Sequence, residues 1–217
     1  MAAPADTSSE SFILPGIPGE PPIEGLWMGA GPRVAVVAPP HPLLGGHFSN
    51  PVVQAVADGF VAAGLRVLLF NYRGVGESGG EPSGDPEHGE RDFAAALAVA
   101  ALSAAPVLAA GYSFGGVAAL RTAARDTRVG AALAVAPPAP MLAGTDLARL
   151  GAGLRVVAGE KDRFAPPVAL EPVARAVRGA RFDVVASADH FFARGPDEIR
   201  RIARESGSSF LSVGRQE

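Results

Sequence analysis

Six short runs of β-branched and apolar residues, at 33–38 (RVAVVA), 66–70 (RVLLF), 106–110 (PVLAA), 129–135 (VGAALAV), 154–158 (LRVVA) and 181–186 (RFDVVA), alternate with segments of helical periodicity. Apolar runs of this length suit strands buried on both faces, as in a parallel sheet covered by helices. Between the first two runs, Asn50-Pro51 reads as a helix cap followed by a first-turn proline, with closure at Gly64. Val52, Val53, Val56 and Phe60 then share one stripe. A second helix is expected from Asp85-Pro86 through Phe93 and Leu97 to near Ser103. A third opens near Pro196, with Asp197 and Glu198 in its first turn and Arg200, Arg201 and Arg204 later, as the helix dipole prefers. The expected class is therefore α/β, a mostly parallel twisted sheet with helices on both faces. In such folds binding groups lie just beyond the carboxyl ends of strands.

A chain of 217 residues, 48% of them hydrophobic, can bury a sizeable core. Residues 1–22 are rich in Pro, Gly and Ser and read as a loosely attached arm. No linker divides the remainder of the chain, so residues 23–217 are expected to form a single domain. Nineteen Lys and Arg against 22 Asp and Glu argue against nucleic acid or a membrane surface as partner. The absence of Cys excludes disulfides, thiolate metal sites and a thiol nucleophile. The uncharged stretch from Phe93 to Leu120 is mostly Ala and Gly, and Pro106 breaks it, so a helix, a strand and a second helix explain it better than a membrane span. No Lys or Arg precedes Arg33, and the apolar run Phe12-Ile13-Leu14 stops at Pro15. A secretory leader is not expected on that pattern, and cytoplasmic residence is the default.

The pattern Gly-x-Ser-x-Gly occurs twice, around Ser113 and around Ser78. It carries chemistry only as a sharp turn between a strand and a helix, where the small flanking residues leave the hydroxyl exposed. Ser113 follows an apolar run and precedes helix-like Val117-Ala118-Ala119-Leu120, whereas Glu81-Pro82-Ser83-Gly84-Asp85-Pro86 denies Ser78 a helix. Ser113 is the nucleophile candidate, and Ser78 reads as part of a turn. Gly74, Gly76 and Gly79 match the spacing of a dinucleotide fingerprint, but the same Pro- and Gly-rich segment removes the helix whose N-terminus would meet a pyrophosphate.

A serine hydroxyl needs a base within hydrogen-bond reach and a carboxylate to orient that base. Of four histidines, His190 lies just beyond the last apolar run and completes the chain order Ser, acid, His. Asp162 in Gly159-Glu160-Lys161-Asp162 follows a strand and is the preferred acid, with Glu160 and Asp189 as rivals. Backbone N–H groups for an oxyanion are expected from Phe114, directly after the nucleophile, and from the loop Pro39-Pro40-His41-Pro42-Leu43-Leu44-Gly45-Gly46. Pro42 has no N–H, so Leu43 is the choice there, with Leu44 as runner-up.

Taken together, PHPLLGG, NYRGVGESGG, GYSFGG, GEKD and DHFF resemble the α/β-hydrolase superfamily, specifically its small, lid-poor bacterial serine hydrolases, from about Gly16 onward. That resemblance implies the α/β-hydrolase fold and hydrolysis at a carbonyl through an acyl-enzyme, with Ser113 attacking, His190 carrying the proton and Asp162 orienting it. Dehalogenase and dienelactone-hydrolase relatives place Asp or Cys at the nucleophile position, so Ser113 argues against both. Asn71-Tyr72-Arg73-Gly74 stands where many relatives carry Asp-x-Arg-Gly and reads as structural support. Large caps in relatives follow the strand that ends here near Val135, and residues 136–153 are too few for one. Met141 and Leu142 read equally as a small flap or as ordinary packing.

An open cleft is therefore expected, lined by Leu43, Leu44, Tyr112, Phe114, Phe164, Phe191 and Phe192. The expected substrate is a small ester with a short acyl chain, and the expected activity that of a carboxylesterase. Acyl transfer, perhydrolysis or peptide cleavage by the same triad, and a non-catalytic binding module, are the alternatives. No metal or organic cofactor is expected, since no His pairs with another ligand at helical metal spacing.

Overall fold

The computed structural model describes residues 11–15, 17–193 and 195–213. Its strands are β1 (Phe12–Leu14), β2 (Ile23–Met28), β3 (Val34–Ala38), β4 (Arg66–Phe70), β5 (Val107–Tyr112), β6 (Val129–Val135), β7 (Leu154–Gly159) and β8 (Arg181–Val185). They form one sheet in the order β1-β2-β4-β3-β5-β6-β7-β8. β1, β2 and β4 pair antiparallel at one edge, and β4 through β8 are joined by parallel pairings. Every strand expected from the apolar runs is present.

Helix positions follow from the direction of each crossover. From β3 the chain steps one way to β4 through α1 (Pro51–Ala62), and from β4 it steps back past β3 to β5 through α2 (Pro86–Ser103). Right-handed crossovers of opposite direction place these two helices on opposite faces. α3 (Phe114–Arg125) and α4 (Pro167–Arg175) continue in the direction of α2, which packs on α3. α5 (Pro196–Val213) returns across the other face to pack on α1. The strand order therefore reverses between β3 and β5, and the loops leaving these strands flank a crevice at their carboxyl ends.

Local chemistry sets the helix starts. The Val52 N–H donates to the Asn50 side chain at 2.9 Å, and the Glu87 N–H donates to the Asp85 carboxylate at 2.9 Å, each with proline as the next residue after the cap. β3, β5 and β7 are buried along their whole length. Each Val, Leu or Phe so buried stabilises the fold by roughly 1.5–3 kcal/mol in hydrophobic transfer.

Two expectations are corrected, and two elements are added to those expected. The arm is not loose throughout, because Phe12–Leu14 pairs with Ile23–Gly25 and Leu14 is fully buried; residues 1–10 and 16 lie outside the described residues. β8 is not buried on both faces: it is the outer strand beside β7, and its Arg181 and Val184 are exposed. β2 and α4 were not anticipated. β2 carries buried Glu24 and a glycine within an otherwise apolar strand, and α4 holds Pro172 in its interior, so each breaks its own pattern. Among the described residues, no helix is long and apolar enough to cross a membrane.

Polar groups lock the loop after β4 onto this frame. Buried Arg73 holds Asp92 of α2 through Nη2 at 2.7 Å and Nε at 3.1 Å, and its backbone N–H reaches the same carboxylate at 2.9 Å. Glu20 accepts a further bond from Nη2 at 2.7 Å, tying the segment after β1 to the same guanidinium. Asn71 donates to Glu24 at 2.8 Å and accepts the Phe48 N–H at 2.9 Å, so the loop after β4 anchors the loop after β3. Burial raises the Glu24 carboxyl, but donors from Glu77, Ser11 and Asn71 outweigh it and hold the group below the usual range.

Removing one partner of a buried ion pair leaves the other charge without compensation. Asp92→Ala is expected to lose about 3–5 kcal/mol in urea unfolding, whereas Arg91→Ala, at an exposed ion pair, is expected to change stability by less than about 1 kcal/mol.

Candidate active site

β5 ends at Tyr112 and α3 begins at Phe114, so a single residue makes the turn between strand and helix. Ser113 makes it with φ 53° and ψ −118°, a conformation that residues with side chains rarely adopt. Its flanking glycines are required by packing: a Cβ on Gly111 would stand 2.2 Å from the carbonyl of Gly115, and one on Gly115 would stand 2.4 Å from the carbonyl oxygens of Ala38 and Pro39. The Ser113 N–H donates to Val135 of the neighbouring strand at 2.8 Å, which holds the turn to the sheet.

His190 lies in the segment between β8 and α5. Its Nε2 is 3.0 Å from Ser113 Oγ, and its Nδ1 is 2.8 Å from Asp162 Oδ2. Asp162, in the loop after β7, receives the Phe164 and Ala165 N–H groups on Oδ1, both at 2.8 Å. Burial would raise the Asp162 carboxyl, but the His190 and backbone donors prevail and lower its pKa. An ionised Asp162 only accepts hydrogen bonds, so Nδ1 of His190 donates to it and Nε2 is the ring nitrogen that faces Ser113. The rival carboxylates are engaged elsewhere, Glu160 by the Ser187 N–H of the loop after β8 at 2.6 Å and Asp189 in its own turn by the Phe191 N–H at 3.1 Å. Ser78 is spent structurally: it donates to the Asn71 carbonyl at 3.0 Å and accepts the Glu24 N–H at 2.9 Å.

The Phe114 N–H belongs to the first turn of α3, where amide groups have no acceptor within the helix. Across the crevice, Pro42–Leu44 forms a 3₁₀ turn capped by His41. The Leu44 N–H is used inside that turn, at 3.0 Å from the His41 carbonyl, whereas the Leu43 N–H rests on His41 Nδ1 at 3.2 Å. Burial lowers the His41 pKa, which keeps its ring neutral and able to accept. Of the two leucines, Leu43 thus has the N–H held by a side chain that a stronger acceptor can displace.

Four exposed apolar side chains lie on the loops carrying these groups. Phe164 and Phe191 are 66% and 64% exposed, with rings 5.1 and 5.8 Å from the His190 ring, and Leu43 and Leu44 are exposed on the opposite loop. The other expected lining residues are corrected. Phe192 is 1% exposed; φ 51° turns its ring inward onto Tyr112. Tyr112 is 3% exposed, and its hydroxyl donates to the His190 carbonyl at 2.8 Å. It braces the histidine segment, and burial with nearby Asp162 and Asp189 raises its pKa well above the usual phenol value. The Phe114 ring is buried against His41 and Tyr72, so only its backbone faces the site.

Sequence reasoning missed the bracing role of Tyr112 and the capping role of His41. His41 before Pro42 carries a capping signal, but nothing near Tyr112 signals a partner 78 residues away. Between β6 and β7 lie only two short 3₁₀ segments, Ala139–Leu142 and Ala148–Gly153, and no cap domain. Leu142 there is buried as packing. Among the described residues, no three His, Asp or Glu side chains are grouped to hold a metal ion.

A family model described as the alpha/beta hydrolase fold matches residues 13–154, and the chain belongs to that family. It is similar to an alpha-beta serine hydrolase homologue from Coxiella burnetii, at 26% identity and TM-score 0.76 over 90% of this chain and 96% of that one. It is also similar to a serine hydrolase without a lid from Xanthomonas campestris, at 25% identity and TM-score 0.78 over 94% and 95% of the two chains. Among curated proteins, a polyketide transferase of Aspergillus fumigatus is 37% identical over 99 residues, 42% of this chain. The match spans 34% of that relative's length.

The lowered Asp162 pKa has a consequence for acid stability. Between the depressed folded value and the ordinary aspartate value of about 3.9, the unfolded chain binds more protons, so the contribution of this group is present above that window and lost as pH falls through it. Asp162→Asn is expected to flatten that part of the stability–pH curve, measured by urea unfolding from pH 6 to pH 3; an unchanged slope would contradict it.

Proposed function

We propose that the protein is a serine hydrolase that cleaves small carboxylic esters with short acyl chains through an acyl-enzyme. The observation that carries this reading is the continuous hydrogen-bonded chain from Asp162 through His190 to Ser113, ending on a strained turn at the carboxyl edge of the sheet. In this mechanism Ser113 Oγ attacks the ester carbonyl while His190 Nε2 takes its proton, and Asp162 stabilises the resulting imidazolium. The oxyanion accepts the Phe114 and Leu43 N–H groups, Leu43 leaving His41 Nδ1 to do so. One such donor contributes on the order of 2.7–4 kcal/mol to the transition state. His190 then protonates the departing alkoxide, and a water deprotonated by the same nitrogen releases the acid.

The substrate class rests on the missing cap. Leu43, Leu44, Phe164 and Phe191 offer apolar contact beside the reacting atoms, but no domain encloses a long chain. A second reading, transfer of the acyl group to an alcohol, is favoured by the same openness and by the partial likeness to a polyketide transferase. Both readings share the acyl-enzyme and differ in the acceptor that resolves it.

A fluorophosphonate is expected to label the folded wild type and Ser78→Ala but not Ser113→Ala, read by intact mass. Ser113→Ala is expected to lose about 10⁴-fold or more in kcat on p-nitrophenyl acetate. Across p-nitrophenyl acetate, butyrate, octanoate and palmitate, kcat/KM is expected to fall with chain length; a steady rise would overturn the short-chain assignment. Glycerol as competing acceptor separates the two readings: a constant acid yield supports hydrolysis, and accumulation of the glyceryl ester supports transfer.

A further inference from the structure

At the edge of the sheet opposite Ser113, where the parallel strands begin, lies a cleft of about 660 Å³. That volume is in the range of small-molecule sites. Its origin is legible in the residues. The first half of α5 buries Ile199, Ile202 and Ala203, whereas its second half presents Ser206 and Ser209 towards the cleft. The sheet opposite offers Gly130 and Ala131. Small side chains on both surfaces leave the space between helix and sheet unfilled, with Leu108 and Phe210 as the larger apolar walls.

Three arginines line this space, and they differ in how their charge is satisfied. Arg155 is buried and paired with Asp183 at 2.7 and 2.9 Å and with Glu205 at 3.1 Å. Arg33, just before β3, donates from Nη1 to the Phe210 carbonyl at 3.1 Å and lies 4.9 Å over the Phe210 ring. Among the described residues, no carboxylate comes within 4.0 Å of Arg33 or of Arg181 at the start of β8. β3 and β8 are four positions apart in the sheet, so the strands that these two arginines adjoin are roughly 19 Å apart at the strand spacing. The cleft is thus a largely apolar trough in which Arg181 is exposed to solvent and Arg33, among the described residues, has no carboxylate partner. Of the two, Arg33 is held in place before anything binds, which reduces the entropy cost of using its remaining N–H groups.

We propose that this trough is a binding site for an amphipathic carboxylate, a medium-chain fatty-acid anion whose head pairs with Arg33 and whose chain lies along Leu108 and Ala131 towards β8. The site is separate from the triad and does not depend on the hydrolase reading. Its chemistry selects an anionic head and an apolar tail together: the head takes the Arg33 N–H groups that the Phe210 carbonyl does not use, and the chain fills the trough.

The test uses the full chain and a decanoate carrying a diazirine at its distal end, with crosslinked peptides mapped by mass spectrometry. Crosslinks are expected within 129–155 and 202–213, displaced by decanoate and not by decyltrimethylammonium. Arg33→Ala is expected to weaken decanoate competition about tenfold or more, as loss of a charge-assisted bond implies. Ser209→Trp, at an exposed helix position, is expected to abolish crosslinking by filling the trough while its circular dichroism stays that of the wild type. Crosslinks confined to 41–44, 164 or 191, equal displacement by the cation, binding undiminished in both variants, or no crosslinking at all would each overturn the proposal. Crosslinking seen only in a chain ending at Val213 would assign the trough to residues 214–217 and overturn it equally.

Discussion

Ser113 occupies a backbone conformation that costs on the order of 1–3 kcal/mol for a residue with a side chain, and its surroundings over-determine it. On one side β5 is bonded to β3 and β6 along its length; on the other α3 begins at once. Gly111 and Gly115 let the helix start and the carbonyls of Ala38 and Pro39 approach more closely than any Cβ allows. The strain therefore aims one hydroxyl at His190 and puts the first amides of α3 beside it. A looser turn would relax the backbone and lose both.

The rest of the site is distributed over loops that share nothing in sequence but the edge they leave from. Asp162 follows β7, His190 follows β8, and the capped turn of His41 follows β3. Each has its own support. Asp162 is filled by two backbone donors, His190 is braced through its carbonyl by Tyr112, and the loop after β3 is pinned at Phe48 by Asn71. The Arg73–Asp92 pair then binds the Asn71 loop to α2, so a buried charge cluster after β4 bears on the crevice beside the neighbouring β3. Its contribution to function is positional.

The two edges of the sheet differ in how α5 and the loops cover them. At the carboxyl edge, short loops set a collar of exposed Phe and Leu side chains around Ser113 and the buried His190 and Asp162. At the amino edge, serines on α5 opposite glycine and alanine leave a trough bounded by arginines. Neither feature comes from an inserted domain; both follow from side-chain size at positions where helix or loop meets the sheet.

How much of this was legible beforehand depends on the range of the interaction involved. The sequence by itself determined the strand and helix alternation, because apolar periodicity and capping residues act over a few positions, and it singled out Ser113 over Ser78 because only one is followed by residues able to form a helix. It also ordered Ser113, Asp162 and His190 along the chain. The sequence preferred Asp162 as the partner of His190, and tertiary structure set it apart from Glu160 and Asp189, which lie in loops at the same edge of the sheet and are reached by different backbone amides. Tertiary structure alone turned Tyr112 and Phe192 from the cleft into the frame, and it recruited β2, whose Glu24 looks wrong for a buried strand until Asn71 and the Glu77 amide are brought to it across the sheet. Those outcomes depend on partners tens of residues away, and burial of a polar group is favourable only where such partners arrive, which local pattern does not encode.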